Sequence, residues 1–184
     1  FDKIKEPVIL KEDSTATQQL AELEQLFANE TDPKTKTMLE TDIVAVRAGI
    51  YGENIILYEL KNSHMPMYVL HDLYLEYEGF TAQIDFLILT RKCQFVVECK
   101  NLYGNITVNN AGDFIRQAGG KKEGIYSPVT QGTRHLELIK KLRIAQRGNV
   151  ITKTIFERGF YDMYRSVVVL ANPKTVLDAK YAPK

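Results

Sequence analysis

A chain of 184 residues, 45% hydrophobic and 26% charged, has the size and apolar content of one soluble domain, which excludes a disordered polymer. No apolar run approaches the ~18 residues of a membrane-spanning helix. The formal net charge of +1 decides nothing about partners, but it is unevenly spread: residues 1–62 carry 7 basic and 12 acidic side chains, residues 111–165 carry 11 and 5. No secretory signal is in view, and because the chain starts at Phe1 rather than Met it reads as a fragment that a targeting or membrane segment could precede.

Residues 1–12 read as an extended, mixed-charge lead-in. Leu20, Leu23 and Phe27 at helical spacing, with Asp13 or Ser14 as N-cap, predict a helix over about 14–30. Thr31-Asp32-Pro33 breaks it and opens a second helix from about Pro33 to Lys61. The chain therefore divides into a lead-in with a short helix, 1–32, and a domain over 33–184 that reads as truncated at its C-terminal end. The second helix has an apolar stripe through Leu39, Ile43, Val46, Ile50, Leu57 and Leu60, and the position that continues it after Ile50 is Glu53. That carboxylate either snorkels to water at the stripe's edge or belongs to a site. Gly49 and Gly52, each costly in a helix, suit a close approach to a sheet or ligand.

Three strands follow, Tyr68 to Tyr77, Ala82 to Thr90 and Cys93 to Lys100, joined by turns at Tyr77-Glu78-Gly79 and Arg91-Lys92 into an antiparallel meander. Asn105 to Asn109 reads as its continuation. Residues 110–126, with Gly112, Gly119, Gly120 and Gly124 around Lys121 and Lys122, read mainly as a flexible loop, Asp113 to Gln117 being the one stretch with strand character. Ser127-Pro128 opens a helix to about Arg147, closed by Gly148. Its apolar stripe, Leu138, Leu142 and Ala145, projects backwards through Gln131 and His135. Arg165 to Ala171 reads as a buried strand ended by Asn172-Pro173, and residues 174–184 carry little signal.

The second and third strands of the meander are apolar runs that nevertheless contain Asp85, Glu98 and Lys100. Buried charges cost several kcal/mol each unless paired or metal-bound. A two-residue loop at Arg91-Lys92 makes Thr90 face Cys93, and so sets Asp85 opposite Glu98 and Gln83 opposite Lys100. Opposed Cβ atoms lie roughly 4.5–5.5 Å apart, and two carboxylates that close repel unless a cation sits between them. The arrangement suits a hard divalent metal; the competing reading is a buried ion-pair network, which leaves one negative charge uncompensated. The basic second half suits a polyanion held against such a site, or is an ordinary solvated surface, and the same choice applies to Lys140, Arg143 and Arg147. Cys93 and Cys99, about 20 Å apart on one strand, cannot bridge and read as reduced, which favours a cytoplasmic protein.

The order helix, three strands, helix, strand, with charges at Glu53, Asp85, Glu98 and Lys100, resembles the PD-(D/E)xK nuclease superfamily and, within it, the nuclease-related domain family (NERD). The resemblance is carried by Ala48-Gly49-Ile50-Tyr51-Gly52-Glu53, Gln83-Ile84-Asp85, Val97-Glu98-Cys99-Lys100-Asn101 with Gly104, and Ser127-Pro128-Val129-Thr130-Gln131 with His135. It spans roughly residues 47–170. Two positions depart: Ile84 stands where the superfamily's name has proline, and His135 where several related nucleases have Tyr. The resemblance implies an α/β, restriction-endonuclease-like αβββαβ core, a mixed central sheet flanked by helices. It implies hydrolysis of DNA phosphodiester bonds with Mg2+, Mn2+ being a substitute. Asp85, Glu98 and the backbone carbonyl of Cys99 would hold the ion. Lys100 would position the attacking water or offset developing charge, Glu53 would hold a water of the ion's shell or a second ion, and Gln131 would orient the phosphate or a ligand. Gln83, His135, Lys121 and Lys122 would face the nucleic acid. The alternative is a non-catalytic module that binds nucleic acid or protein on the same fold. His64, His71 and His135 read as structural, with His135 able to line the site, and no Gly-rich phosphate loop or Ser/His/Asp arrangement stands out.

Overall fold

The computed structural model describes residues 3–182. The lead-in contains an edge strand, β1 (Pro7–Lys11), followed by α1 (Thr15–Asn29) and α2 (Pro33–Lys61). Both helices start as their sequences predict: Ser14 accepts from the Ala16 amide, and Asp32 accepts from the Thr35 amide at 2.8 Å, with Pro33 in the first turn. The meander is β2 (Met67–Tyr77), β3 (Phe80–Leu89) and β4 (Gln94–Lys100). With β1 and β8 (Tyr164–Leu170) it forms a five-stranded sheet of order β1-β2-β3-β4-β8, antiparallel in the middle and parallel at both ends. It is the mixed central sheet expected of the core.

The hairpin register is the predicted one. Leu89 pairs with Gln94 and Phe86 with Val97, and the Thr90 amide donates to the Cys93 carbonyl at 3.0 Å. The ladder stops there. β3 stays with β2 as far as Tyr77↔Phe80, while β4 parts from it and keeps only the pairing with β8 on its other edge, from Gln94↔Tyr164 to Lys100↔Leu170. Neither expected pair beyond that point forms: Asp85 is not paired with Glu98 in the ladder, and Gln83 does not oppose Lys100 but pairs with Tyr74.

Where the strands part, the β2–β3 ribbon also changes sides. Met67, Val69, Phe86 and Ile88 pack with Ile56 and Leu57 of α2, whereas Leu73, Leu75, Ala82 and Ile84 pack against the opposite layer. The switch falls at Asp72, which adopts φ 52° and is skipped in the β2–β3 pairing together with Asp85. Aspartate is among the few side chains that tolerate this left-handed conformation.

That opposite layer is α3 (Pro128–Ala145) with α4 (Val150–Met163), whose Leu136, Leu138, Ile139, Phe156 and Phe160 cover Val96 and Tyr164. The buried face of α3 runs through Pro128, Gly132, His135, Leu136 and Ile139 as well as Leu138; Leu142 is only half-buried and Ala145 is exposed, a correction to the predicted stripe. The helix α4 was not predicted. Its Asn149 cap accepts from the Thr152 amide at 2.8 Å, but Val150, Ile151 and Ile155 are exposed, so its apolar residues ring the helix and blur the period.

Residues 105–125 also differ from expectation. β5 (Asn105–Val108) is a strand as expected but does not extend the meander, and within the stretch read mainly as a flexible loop the expected strand is β6 (Phe114–Ala118), which forms a hairpin with an unexpected β7 (Lys121–Ile125). With β9 (Leu177–Asp178) they form a second mixed sheet, order β7-β6-β5-β9, over Ile106, Val108 and Phe114. Gly119 and Gly120 both take positive φ, 56° and 78°, the geometry of a two-residue hairpin turn that glycine adopts without strain.

Gly52 provides the close approach read from α2. A Cβ there would lie 2.6 Å from the Asn101 Cβ and 3.3 Å from the Ala171 Cβ, atoms fixed by their own backbones. Gly49 has open space. Gly52→Ala is expected to lower stability by about 1–3 kcal/mol through overpacking, and Gly49→Ala to raise it by up to about 1 kcal/mol through helix propensity. Urea unfolding of both variants checks the contrast.

Candidate functional site

The parting of β3 and β4 builds the site. Where a main-chain bond would continue the ladder, the Cys99 amide donates instead to Asp85 Oδ2 at 2.6 Å. The Cys99 carbonyl lies on the same edge of its strand as that amide, and so faces the same gap. One residue back, Glu98 is 1% exposed and points into the layer under α3. Its Oε1 accepts from Lys100 Nζ at 2.6 Å, and Lys100 Nζ also donates to Gln131 Oε1 at 3.3 Å. Sequence alternation thus puts Glu98 and Lys100 on one face, and the first turns of α3 lower Gln131 onto the lysine.

Two further groups close the site. His135, one turn beyond Gln131, sets Nδ1 3.7 Å from Glu98 Oε2, too far for a hydrogen bond. Both atoms are buried without a partner, as is Ser166 Oγ. On the other side α2 brings Glu53, whose Oε2 lies 2.7 Å from His71 Nε2. The Glu53 charge bears on both Asp85 and Glu98, and the Glu98 charge on Asp85.

Burial pushes the Asp85 carboxyl up to about 7; the Glu98 charge adds to the rise and the Cys99 amide opposes it. Burial also raises Glu98, against the pull of Lys100. Burial holds the Cys99 thiol up at about 12, an inert thiol. Burial, then the Lys100 charge, lowers His135, which favours its neutral ring. For His71 burial works against the charge, but the bonds to Glu53 and to the Glu12 carbonyl outweigh it and the net direction is up. Both free cysteines, Cys93 and Cys99, are unbridged.

The site residues named from sequence fall into two groups. Glu53, Asp85, Glu98, Cys99, Lys100, Gln131 and His135 are brought together. Gln83, Lys121 and Lys122 are not. The Gln83 amide donates to Asp72 Oδ1, away from Lys100. Lys121 and Lys122 stand exposed on β7, where Lys122 lines an open groove of about 720 Å³ with Asp113, Glu123, Tyr126 and Thr130. Sequence reading passed over His71 as a partner of Glu53; His71-Asp72, two ionisable residues inside an apolar strand, were the available signal.

Among the described residues no three His, Cys, Asp or Glu side chains gather tightly enough to cage a metal by themselves. A cation here would draw on two carboxylates and the Cys99 carbonyl. That set suits Mg2+, which keeps several of its waters, and the orphaned Glu98 Oε2 is an oxygen such an ion could take.

The αβββαβ order, mixed sheet and acidic gap define a nuclease-like α/β core. The family model for the nuclease-related domain matches residues 48–171, and the chain belongs to that family. No curated protein and no solved structure matches it. No helix among the described residues is long and apolar enough to cross a membrane.

The raised Asp85 carboxyl makes stability pH-dependent. Unfolded, the group ionises near its ordinary value of 3.8; folded, it does so at about 7. Between those values the folded state binds more protons, so its stability falls as pH rises. In urea unfolding without divalent ions, the native chain is expected to lose stability from pH 5 to pH 8 relative to Asp85→Asn, whose profile should be flatter.

Proposed function

We propose that the chain is a Mg2+-dependent nuclease acting on DNA. The observation that carries this reading is the meeting of Asp85, Glu98 and Lys100 where β3 and β4 part, with Gln131 on the lysine. One ammonium against two carboxylates, Glu98 buried and Asp85 half-buried, leaves negative charge that a divalent ion would offset. Membership of a nuclease-related family supports the same chemistry.

Asp85, Glu98 and the Cys99 carbonyl would hold the ion. When bound, it supplies Lewis acidity toward the scissile phosphate and toward water. The remaining work falls to the chain itself. Lys100, 28% exposed at its side chain, can reach both solvent and substrate while Glu98 and Gln131 fix it. Its ammonium positions the attacking water or offsets charge developing on the phosphate. The Gln131 amide nitrogen remains available to a phosphate oxygen while its Oε1 holds Lys100. Glu53 orients water at the mouth of the site.

The lack of a three-residue acidic cage among the described residues favours one second reading, a binding module that holds nucleic acid or protein without turnover.

Plasmid and single-stranded DNA with Mg2+ are the substrates to try. Asp85→Ala, Glu98→Ala and Lys100→Ala are each expected to reduce cleavage at least ~100-fold, and EDTA to abolish it. Calorimetric Mn2+ binding should vanish in the two carboxylate variants and persist in Lys100→Ala. Absence of cleavage of DNA or RNA in either ion, with no Mn2+ binding, overturns the reading. Tight DNA binding without cleavage, indifferent to Lys100→Ala, would establish the binding module instead.

A further inference from the structure

The segment 7–15 lies outside the residues that match the family, yet it converges on one point of the sheet beside Glu53. β1 pairs in parallel with β2. Lys11 Nζ donates to the His71 carbonyl at 3.0 Å, and the Glu12 carbonyl lies 2.9 Å from His71 Nδ1. The amide and hydroxyl of Thr15 donate to Asp72 Oδ2 at 2.5 and 2.9 Å. Asp72 is the residue at which the β2–β3 ribbon changes sides, so the segment clamps the corner that aims His71.

The ring of His71 is fixed on every side. It is 3% exposed and stacks on Phe86, with centroids 4.7 Å apart and planes at 19°. A carbonyl can only accept, so Nδ1 carries a proton toward Glu12. Nε2 faces a Glu53 carboxylate oxygen at 2.7 Å, and it must donate as well if that carboxylate is ionised. A ring that donates at both nitrogens leaves Glu53 no freedom to swing out to solvent, although α2 places it at a half-buried edge where it otherwise would.

We propose that residues 7–15 are a working part of the catalytic site, acting through His71 as the positioning residue for Glu53. The chain Glu12 carbonyl, His71, Glu53 passes the placement of the N-terminal strand to the mouth of the acidic gap. Its catalytic consequence rests on the nuclease reading above, whereas its geometry does not.

The experiment has two arms on the full chain. In the first, 15N–1H correlation spectra of the histidine side chains should show His71 protonated at both nitrogens and protected from exchange. Lys11→Met combined with Thr15→Val, which loosens the clamp without touching Glu53, should speed exchange of the Nδ1 proton roughly 5- to 100-fold, as loss of two hydrogen bonds implies. A singly protonated ring, or exchange unchanged in the double variant, overturns the proposal whether or not the protein cuts DNA. In the second arm, cleavage kinetics with Mg2+ should show kcat in His71→Leu reduced ~10-fold or more, the usual cost of removing an outer support, with KM for DNA within about 2-fold. His71→Gln, whose amide can still donate to Glu53, should recover most of that loss. Unchanged kcat in His71→Leu, or equal losses in the Leu and Gln variants, overturns the positioning role. An inactive native chain with a doubly protonated, clamped His71 would refute the nuclease reading and leave the clamp standing.

Discussion

One hydrogen bond organises this molecule: a carboxylate, Asp85, takes the Cys99 amide where a main-chain carbonyl would ordinarily do so. Substituting a side chain for a ladder rung ends the pairing of β3 with β4 but leaves the amide satisfied, so the sheet opens without an orphaned donor. The gap then admits what a continuous sheet would exclude. Glu98 can be buried there because Lys100 lies two residues along the same face. Gln131 descends from α3 to hold that lysine, and α2 approaches closely enough at Gly52 to present Glu53. The arrangement is left electrostatically unfinished, with Glu98 Oε2 and His135 Nδ1 buried and unpartnered. Native interiors rarely tolerate such atoms away from a functional site.

Much of this could be read before any coordinates. The bounds of α2, the meander and the hairpin register follow from strong local signals: Asp32-Pro33, the apolar runs, and a two-residue turn at Arg91-Lys92. The charges embedded in those runs marked the site for the same reason, since a pattern that asks for Val or Leu and receives Asp85 or Glu98 demands an explanation. What escaped depended on non-local competition. Nothing in the spacing of Gln83 shows that the β3–β4 ladder will end at Phe86↔Val97, because β4 keeps its course through β8, which lines its other edge and comes more than sixty residues later. Asp72 could not be recognised as the place where a regular alternation crosses from one layer to the other. The second sheet was missed for a simpler reason: Gly119-Gly120 is a hairpin turn signal, but four glycines in the stretch outweighed it. The helix α4 hid behind exposed Val150, Ile151 and Ile155.

The N-terminal strand shows how far a site can extend beyond the residues that bear its chemistry. β1 supplies no side chain to the acidic gap, yet the backbone carbonyl of Glu12 and the ammonium of Lys11 both end on His71. Asp72 is held well ionised there: burial would raise its carboxyl, but the Thr15 amide and hydroxyl, Gln83 and Lys11 outweigh it. A carboxylate at the first turn of α1 also meets the positive end of that helix.

The crossing of the β2–β3 ribbon has a consequence for how the protein comes apart. Its two ends belong to different hydrophobic layers, Met67, Val69, Phe86 and Ile88 to one and Leu73, Leu75, Ala82 and Ile84 to the other. Neither layer can be lost while the hairpin stays folded, and the hairpin cannot fray without loosening both. Two cores that share their strands in this way should melt as a single cooperative unit, which ties the geometry of the acidic gap between them to the global stability of the chain rather than to the local opening of either face.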